Sequence, residues 1–320
     1  MNPLEHFFTR RFKQGILLVA AFILCLQVPL NAQKIPRQTL ISMTSEWEGE
    51  RYPDGRPKVP ADVLERMEEV SIEEAWGTLR QHDYHNQFAG GPWKILKPGE
   101  VMVGRALTAT YYPARPGVQK HISEQQEKAG HTGPTNTWPI DMLNQGDLYV
   151  ANGFGKIKDG TLIGDRLGNT IYANSGNGVV FEGSSRDREG LSEIEGFNAF
   201  VRDWDPSFIQ HMMLIGLNTP TLIGEATVMP GDVVLAKQTG VIFIPAHLAE
   251  EVVIDSERTR LRDGFAHQRV QDGTYTAGQM DTEWTDEIRQ DFENWLRSNS
   301  EELQEKFGVG QATIDELLEE

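Results

Sequence analysis

The chain has 320 residues, 39% hydrophobic and 24% charged, with a formal net charge of −17 and a single cysteine. That length suits one large domain or two small ones, and charge spread along the chain rather than gathered in blocks excludes wholesale disorder. So acidic a balance excludes a nucleic-acid binder, which needs Lys and Arg to displace phosphate counterions, and one cysteine excludes an internal disulfide or a Cys-rich zinc site.

The first residues read as an address. Arg10, Arg11 and Lys13 precede an uncharged apolar run from Gly15 to Leu26, followed by Pro29 and the small Ala32. A basic start, a short apolar stretch and a small residue at its exit are the parts of a secretory signal. A spanning helix needs about 20 apolar residues, so this run is short for a permanent anchor. The expectation is a signal peptide over 1–32 and an exported chain, periplasmic or secreted, with no membrane association after cleavage. An uncleaved inner-membrane anchor is the alternative. Cleavage would remove Cys25, three basic residues and one acidic residue, taking the net charge from −17 to −19.

Residues 33–60 are polar and turn-rich and predict an extended arm. Val63, Leu64, Met67 and Val70 recur at helical spacing, and Ser71 with Glu74 forms a capping-box signature for a second helix carrying Ala75, Trp76 and Leu79. Residues 101–111 alternate and are rich in β-formers, predicting a strand. Residues 113–138 form a Pro/Gly-punctuated insertion, too polar for core and long enough for a lid or a mobile segment. Beyond it the pattern predicts a short helix (140–143), a strand (147–151), a helix (163–174) and strands at 179–182, 199–202 and 221–224. A hairpin (232–236, 241–244) and a helix (247–262) follow. A last amphipathic helix (283–297) carries Trp284, Ile288, Phe292, Trp295 and Leu296 on one stripe. The body is therefore α/β, with helical arms at both ends.

The segment 147–182 carries the chemistry. If it forms a strand–helix–strand crossover, the helix runs about 1.5 Å per residue one way and the second strand climbs back at about 3.3 Å per residue. Arg186 and Asp187, just past that strand, then return to the edge where Gly164 and Asp165 open the helix. Open α/β sheets bind ligands on such an edge. Backbone N–H groups from Gly164 to Gly168 can hold a carboxylate, and Arg186 can clamp the same group. Asp187 and Asp165 are hard oxygen ligands suited to Mg²⁺ or Mn²⁺, and a divalent ion beside an α-keto acid would polarise its keto oxygen.

Twenty residues separate Asp165 from Arg186-Asp187, a spacing that resembles the D-x20-R-D signature of the RraA-like family, which includes the class II 4-hydroxy-4-methyl-2-oxoglutarate aldolases. Other pieces agree in order: Val103 to Ala106 with Thr108; Asn144 to Asp147; Gly178 to Val180; and Val228 to Asp232 followed by Gly240 to Pro245. The resemblance spans residues 61–265 and leaves 266–320 as a helical C-terminal extension. It implies the family's swivelling β/β/α domain, assembled as a homotrimer or hexamer, and a metal-dependent carbon–carbon lyase of aldolase or oxaloacetate-decarboxylase type. Its substrate would be a small α-keto acid, cleaved through a metal-stabilised pyruvate enolate. In these terms Asp187 would bind the metal, Mg²⁺ or Mn²⁺, and Arg186 the substrate carboxylate. Asp165 would orient a metal-bound water that shuttles the proton, and Gly164, Asp165, Arg166 and Leu167 would line the carboxylate site. The alternative is a non-catalytic relative that binds a small carboxylate or a protein partner. The chain departs from the family pattern at Ala236 to Gly240, where an acidic run is usual, and in its insertion and extensions.

Other motifs carry less. His82 and His85 lack a third metal ligand, and His121 and His131 read as solvated loop histidines. No G-x-S-x-G elbow and no dinucleotide-binding glycine fingerprint occurs. The stripe from Trp284 to Leu296 reads as packing, because its acidic polar face would be repelled by anionic lipid.

Overall fold

The computed structural model describes residues 34–319, so the expected signal peptide lies outside the described residues. Eleven strands and eleven α-helices follow one another in these residues. The central sheet is built on β3 (Met102–Pro113), β4 (Asp147–Asn152), β5 (Val179–Ser185) and β6 (Ala199–Trp204), which run parallel in that order. Beyond β3 the hairpin β10 (Val233–Lys237) and β11 (Gly240–Ile244) adds antiparallel strands, and β1 (Phe88–Ala89) closes that edge. On the other edge β2 (Lys94–Ile95) pairs with β6. β3 is long enough to serve two partners: its first half pairs with β10, and its second half pairs with β7 (Met212–Leu217) across a bulge at Thr110/Tyr111.

Alternation along the strands divides the core into layers. Leu107, Tyr149, Phe181 and Val201 face α5 (Trp138–Asp141), α6 (Asp165–Ser175) and α7 (Arg188–Ser192). On the same side, Leu235 and Ile242 meet α2 (Ala61–Met67), α3 (Ile72–Gln81) and α8 (Ala249–Gln271). Ala106, Val150, Val180 and Phe243 face the opposite way, onto a small hairpin of β8 (Thr221–Ile223) and β9 (Ala226–Val228). The result is the β/β/α layering expected from the resemblance. The capping box at Ser71 and Glu74 is present and opens α3. α6 ends where Gly176 adopts a left-handed conformation (φ 67°), an ending that favours glycine.

The extensions differ from the sequence reading in instructive ways. Residues 33–60 are not extended throughout: α1 (Arg37–Met43) is helical, with Leu40 fully buried, and Tyr52, Arg56 and Val59 are buried as well. Arg56 donates to Asp147 at 2.9 Å, an ion pair with no solvent exposure on either side chain. This pair pins the segment to the start of β4. The insertion is also more ordered than its composition suggests, since Pro116–Lys128 forms helix α4 with Ile122 and Gln126 buried. α8 runs on to Gln271, nine residues past the expected end, and its Leu261 and Phe265 join the stripe Ile288, Phe292, Trp295 and Leu296 of α10 (Asp286–Phe307). The four-residue α9 (Ala277–Met280) links these two helices, and α11 (Gln311–Glu319) closes the cluster with Ile314 and Leu317. The stripe is packing, as expected.

Candidate active site

The crossover of β4, α6 and β5 has the predicted sense, with β4 and β5 parallel and adjacent. Between β4 and α6 the chain lies along the end of β5. Thr161 bridges Ser184, the Leu162 N–H donates to the Ser184 carbonyl at 3.0 Å, and the Arg186 N–H donates to the Ile163 carbonyl at 3.1 Å. Ser185 Oγ donates to the same Ile163 carbonyl at 3.1 Å. Asn136, at the end of the insertion, fixes the Leu162 carbonyl from the other side at 2.7 Å. These bonds clamp the strand end and the helix start to each other.

Gly164 is thereby pressed against Arg186 and Asp187. A Cβ at Gly164 would overlap Asp187 Oδ2 and lie 2.9 Å from Arg186 Nε. Gly190 plays the same part toward Asp165: a Cβ there would come within 2.9 Å of Asp165 Cβ and 3.2 Å of its Oδ2. The structure therefore gathers Gly164, Asp165, Arg186 and Asp187 at one edge. Gly190 is the member that the sequence reading missed, although its position three residues after Asp187 was a usable signal.

Asp187 sits in the left-handed region (φ 54°, ψ 47°) as the residue before α7. An L-residue there costs roughly 1–2 kcal/mol, less for Asp than for most because its short polar chain bonds locally. Its Oδ2 stands 3.5 Å from Arg186 Nε, and both side chains are 41% exposed. No side chain caps α6. Of the amides expected to line a carboxylate site, that of Arg166 donates to Asp165 Oδ1 at 2.7 Å, and Leu167 packs partly against the core.

A divalent ion fits this set. Mg²⁺ keeps several waters and takes only one or two carboxylates. Asp187 offers one carboxylate at a solvent-open edge where water could complete such a shell, and the missing Cβ of Gly164 leaves its oxygen room. No group of three His, Cys, Asp or Glu forms a ready-made metal cage among the described residues. His82 instead bonds Glu251 at 2.7 Å and His131 bonds Asp141 at 3.2 Å, both surface pairs.

Comparisons with known proteins agree with this architecture. Protein DlpA of Legionella pneumophila is 27% identical over 170 residues, which are 53% of this chain but only 26% of DlpA, so the match spans about a quarter of that relative. A proposed 4-hydroxy-4-methyl-2-oxoglutarate aldolase of Ectopseudomonas mendocina is 27% identical over 111 residues, 34% of this chain and 67% of the relative. Among solved structures, Streptomyces coelicolor RraAS2, described as an unusual member of the RNase ES inhibitor RraA protein family, superposes with a TM-score of 0.56 at 20% identity. That match covers 66% of this chain and 100% of RraAS2. An uncharacterized protein of Pseudomonas syringae gives 0.55 at 21% identity, covering 71% of this chain and all of its own. At these identities the structures speak for the fold alone. A family model described as "RraA-like: Aldolase/RraA" matches residues 62–243, more than half of the sequence, and the chain belongs to the RraA-like family.

Proposed function

We propose that this protein is a divalent-metal-dependent lyase of the aldolase or decarboxylase type that acts on a small α-keto acid. The observation that carries the reading is the packing of Arg186 and Asp187 onto Gly164 at the start of α6, with Asp165 beside them. Arg186 presents a planar fork of N–H donors that binds the substrate carboxylate, and the uncapped start of α6 adds amide donors and the positive end of the helix dipole. Asp187 would hold Mg²⁺ or Mn²⁺, which supplies the positive charge that stabilises negative charge growing on the keto oxygen. Asp165 orients, through its carboxylate oxygen, the water that carries a proton toward or away from the reacting carbon. Arg186 and Asp187 lie close enough to restrain each other, so carboxylate and keto oxygen are presented in one orientation. Assembly as a homotrimer or hexamer, and export directed by residues 1–32, complete the proposal.

The test is pyruvate release from oxaloacetate and from 4-hydroxy-2-oxoacids, with and without EDTA. Asp187→Asn is the informative variant, because Asn tolerates the left-handed backbone as Asp does. Turnover is expected to vanish on chelation and to fall steeply in this variant; activity that survives both would sink the metal mechanism. Light scattering that shows a monomer would contradict the assembly, and an intact 1–32 segment on protein recovered from the native host would contradict cleavage.

A second reading, a non-catalytic binder of a carboxylate or a protein, is favoured by the openness of this edge, where both key side chains are two-fifths exposed. Carboxylate binding without turnover of any keto acid would select it.

A further inference from the structure

A cavity of about 180 Å³ lies away from the candidate active site and shares no residue with it. One wall is the N-terminal segment, with Glu46 and Trp47. The others come from Tyr84 after α3, from Met229 and Asp232 ahead of β10, and from His247 after β11. Asp232 forms the buried end. Its residue is 4% exposed, and Oδ2 accepts the Met229 N–H at 2.7 Å. Among the described residues nothing hydrogen-bonds its Oδ1, and no Lys or Arg is among the side chains lining the cavity.

The remaining chemistry points one way. Tyr84 donates its hydroxyl to Glu46 Oε2 at 3.3 Å, and His247 Nε2 stands 3.7 Å from the same oxygen, its ring 5.9 Å from that of Tyr84. With the Glu46 carboxylate at the mouth, aromatic faces on the walls and no Lys or Arg among the lining side chains, the cavity disfavours an anion. Carboxylates attract a cation electrostatically and aromatic faces attract it through their quadrupoles. Beside the polar Thr44, Gln87 and Thr227, the side chains of Met43, Pro57, Met229 and Ala246 give the wall apolar area, which suits an alkyl body better than a hydrated metal ion.

We propose that this cavity is a binding site for a small organic monocation, an alkylammonium or quaternary ammonium compound, with Asp232 as its counter-ion. Burial without a protein counter-charge pushes the Asp232 carboxyl up to about 8, so the empty site holds a proton there at neutral pH. An entering cation keeps its charge, and Asp232 gives its proton to solvent.

Titration calorimetry with n-butylammonium and tetramethylammonium chlorides, run on the full chain in two buffers of different ionisation enthalpy, tests this. Saturable binding is expected, with close to one proton released per ligand at neutral pH. Affinity should rise by about tenfold per pH unit below the Asp232 titration and level off above about pH 8. Asp232→Asn should weaken binding by about tenfold or more and flatten that slope; whatever slope survives belongs to Glu46, Tyr84 and His247. Glu46→Gln, at the exposed mouth, should weaken binding by a few-fold without threatening the fold. Absence of saturable binding, equal affinity for 1-butanol or potassium, or binding without proton release would overturn the proposal. The proton count on the wild-type chain decides even if Asp232→Asn fails to fold.

Discussion

Gly164→Ala is the sharpest perturbation of the candidate active site, because its cost falls on the Arg186 and Asp187 side chains and hardly on the backbone. Gly164 has φ −127° and ψ −169°, extended geometry that alanine adopts freely. The added Cβ would overlap Asp187 Oδ2 and stand 2.9 Å from Arg186 Nε and 3.2 Å from its Cγ, where ordinary contacts begin at 3.4 Å. Both side chains are exposed enough to yield, Arg186 by roughly half an ångström and Asp187 by a little over one; a misplacement of about 1 Å can lower a rate by about 10²-fold. Stability should change little, by about 1 kcal/mol, the usual cost of alanine in place of glycine ahead of a helix. Gly168→Ala is the control, since its Cβ would run into Leu191 and reach Ile194 Cδ1 at 3.3 Å, both in the core. Overpacking of about 1–3 kcal/mol should exceed the roughly 1 kcal/mol gained in helix propensity. The control should therefore lose thermal stability and keep its turnover per folded molecule. The assay is kcat/KM for oxaloacetate decarboxylation beside a melting curve for each variant. Wild-type kcat/KM in Gly164→Ala would refute the assignment of Arg186 and Asp187 as the reacting pair.

Three further outcomes follow from buried polar groups. Arg56→Ala would strip Asp147 of its 2.9 Å partner and leave it only Arg105 at 3.7 Å as a cation; breaking a buried pair costs about 3–5 kcal/mol, to be read from urea unfolding. Thr313→Val removes the 2.6 Å hydroxyl bond to the fully buried Glu257, which also pairs with Arg66 at 2.8 Å. A loss of about 1–3 kcal/mol is expected, and a neutral result would mean that water replaces the hydroxyl. For Asp232, a carboxyl raised from 3.8 to about 8 on folding favours the fold below the unfolded value and loses that advantage as pH rises toward the folded one. Asp232→Asn should therefore gain on the wild type by up to about 1.4 kcal/mol per pH unit across that window, measured by melts at matched ionic strength; a constant difference would contradict the burial argument.

Where local pattern and tertiary role coincide, the sequence can be read. The Ser71–Glu74 box, the alternation in β3 and the stripe on α10 all announce themselves, because each signal spans one element that packs along its own periodicity. The gathering of Gly164 with Arg186 and Asp187 was also accessible, since the rise per residue of helix and strand returns the chain to its starting level. The misses are elements stabilised by few contacts. α1 buries only Leu40, and α4 only Ile122 and Gln126, so neither needs an apolar stripe. β7 was missed because Met212–Leu217 is buried almost continuously and lacks the alternation of a half-exposed strand. Partners distant in sequence leave no local trace at all: Arg56 and Asp147 are 91 residues apart. The isolation of Asp232 is likewise a property of what folds around it.

That last point bears on how the chain relates to its family. The family match covers residues 62–243, whereas Glu46, Trp47 and Pro57 on one side of the cavity, and Pro245, Ala246 and His247 on the other, lie outside it. Asp232, just ahead of β10, is inside the matched span, as are Tyr84, Gln87, Thr227 and Met229, while the remaining walls of its cavity come from the flanking segments. Those segments are fixed by buried charge: Arg56 is locked to Asp147 beneath the N-terminal wall, and Glu257, on the helix that continues from His247, is held by Arg66 and Thr313. Buried pairs of this kind contribute little net stability compared with apolar packing, but breaking one is costly, so they favour a single seating of each segment over alternatives. The extensions thus do more than lengthen an RraA-like core. They help to enclose the Asp232 carboxyl, and burial raises its proton affinity. The keto-acid chemistry proposed at Arg186 and Asp187 and the cation site proposed at Asp232 therefore rest on different parts of the chain, and each can fail without the other.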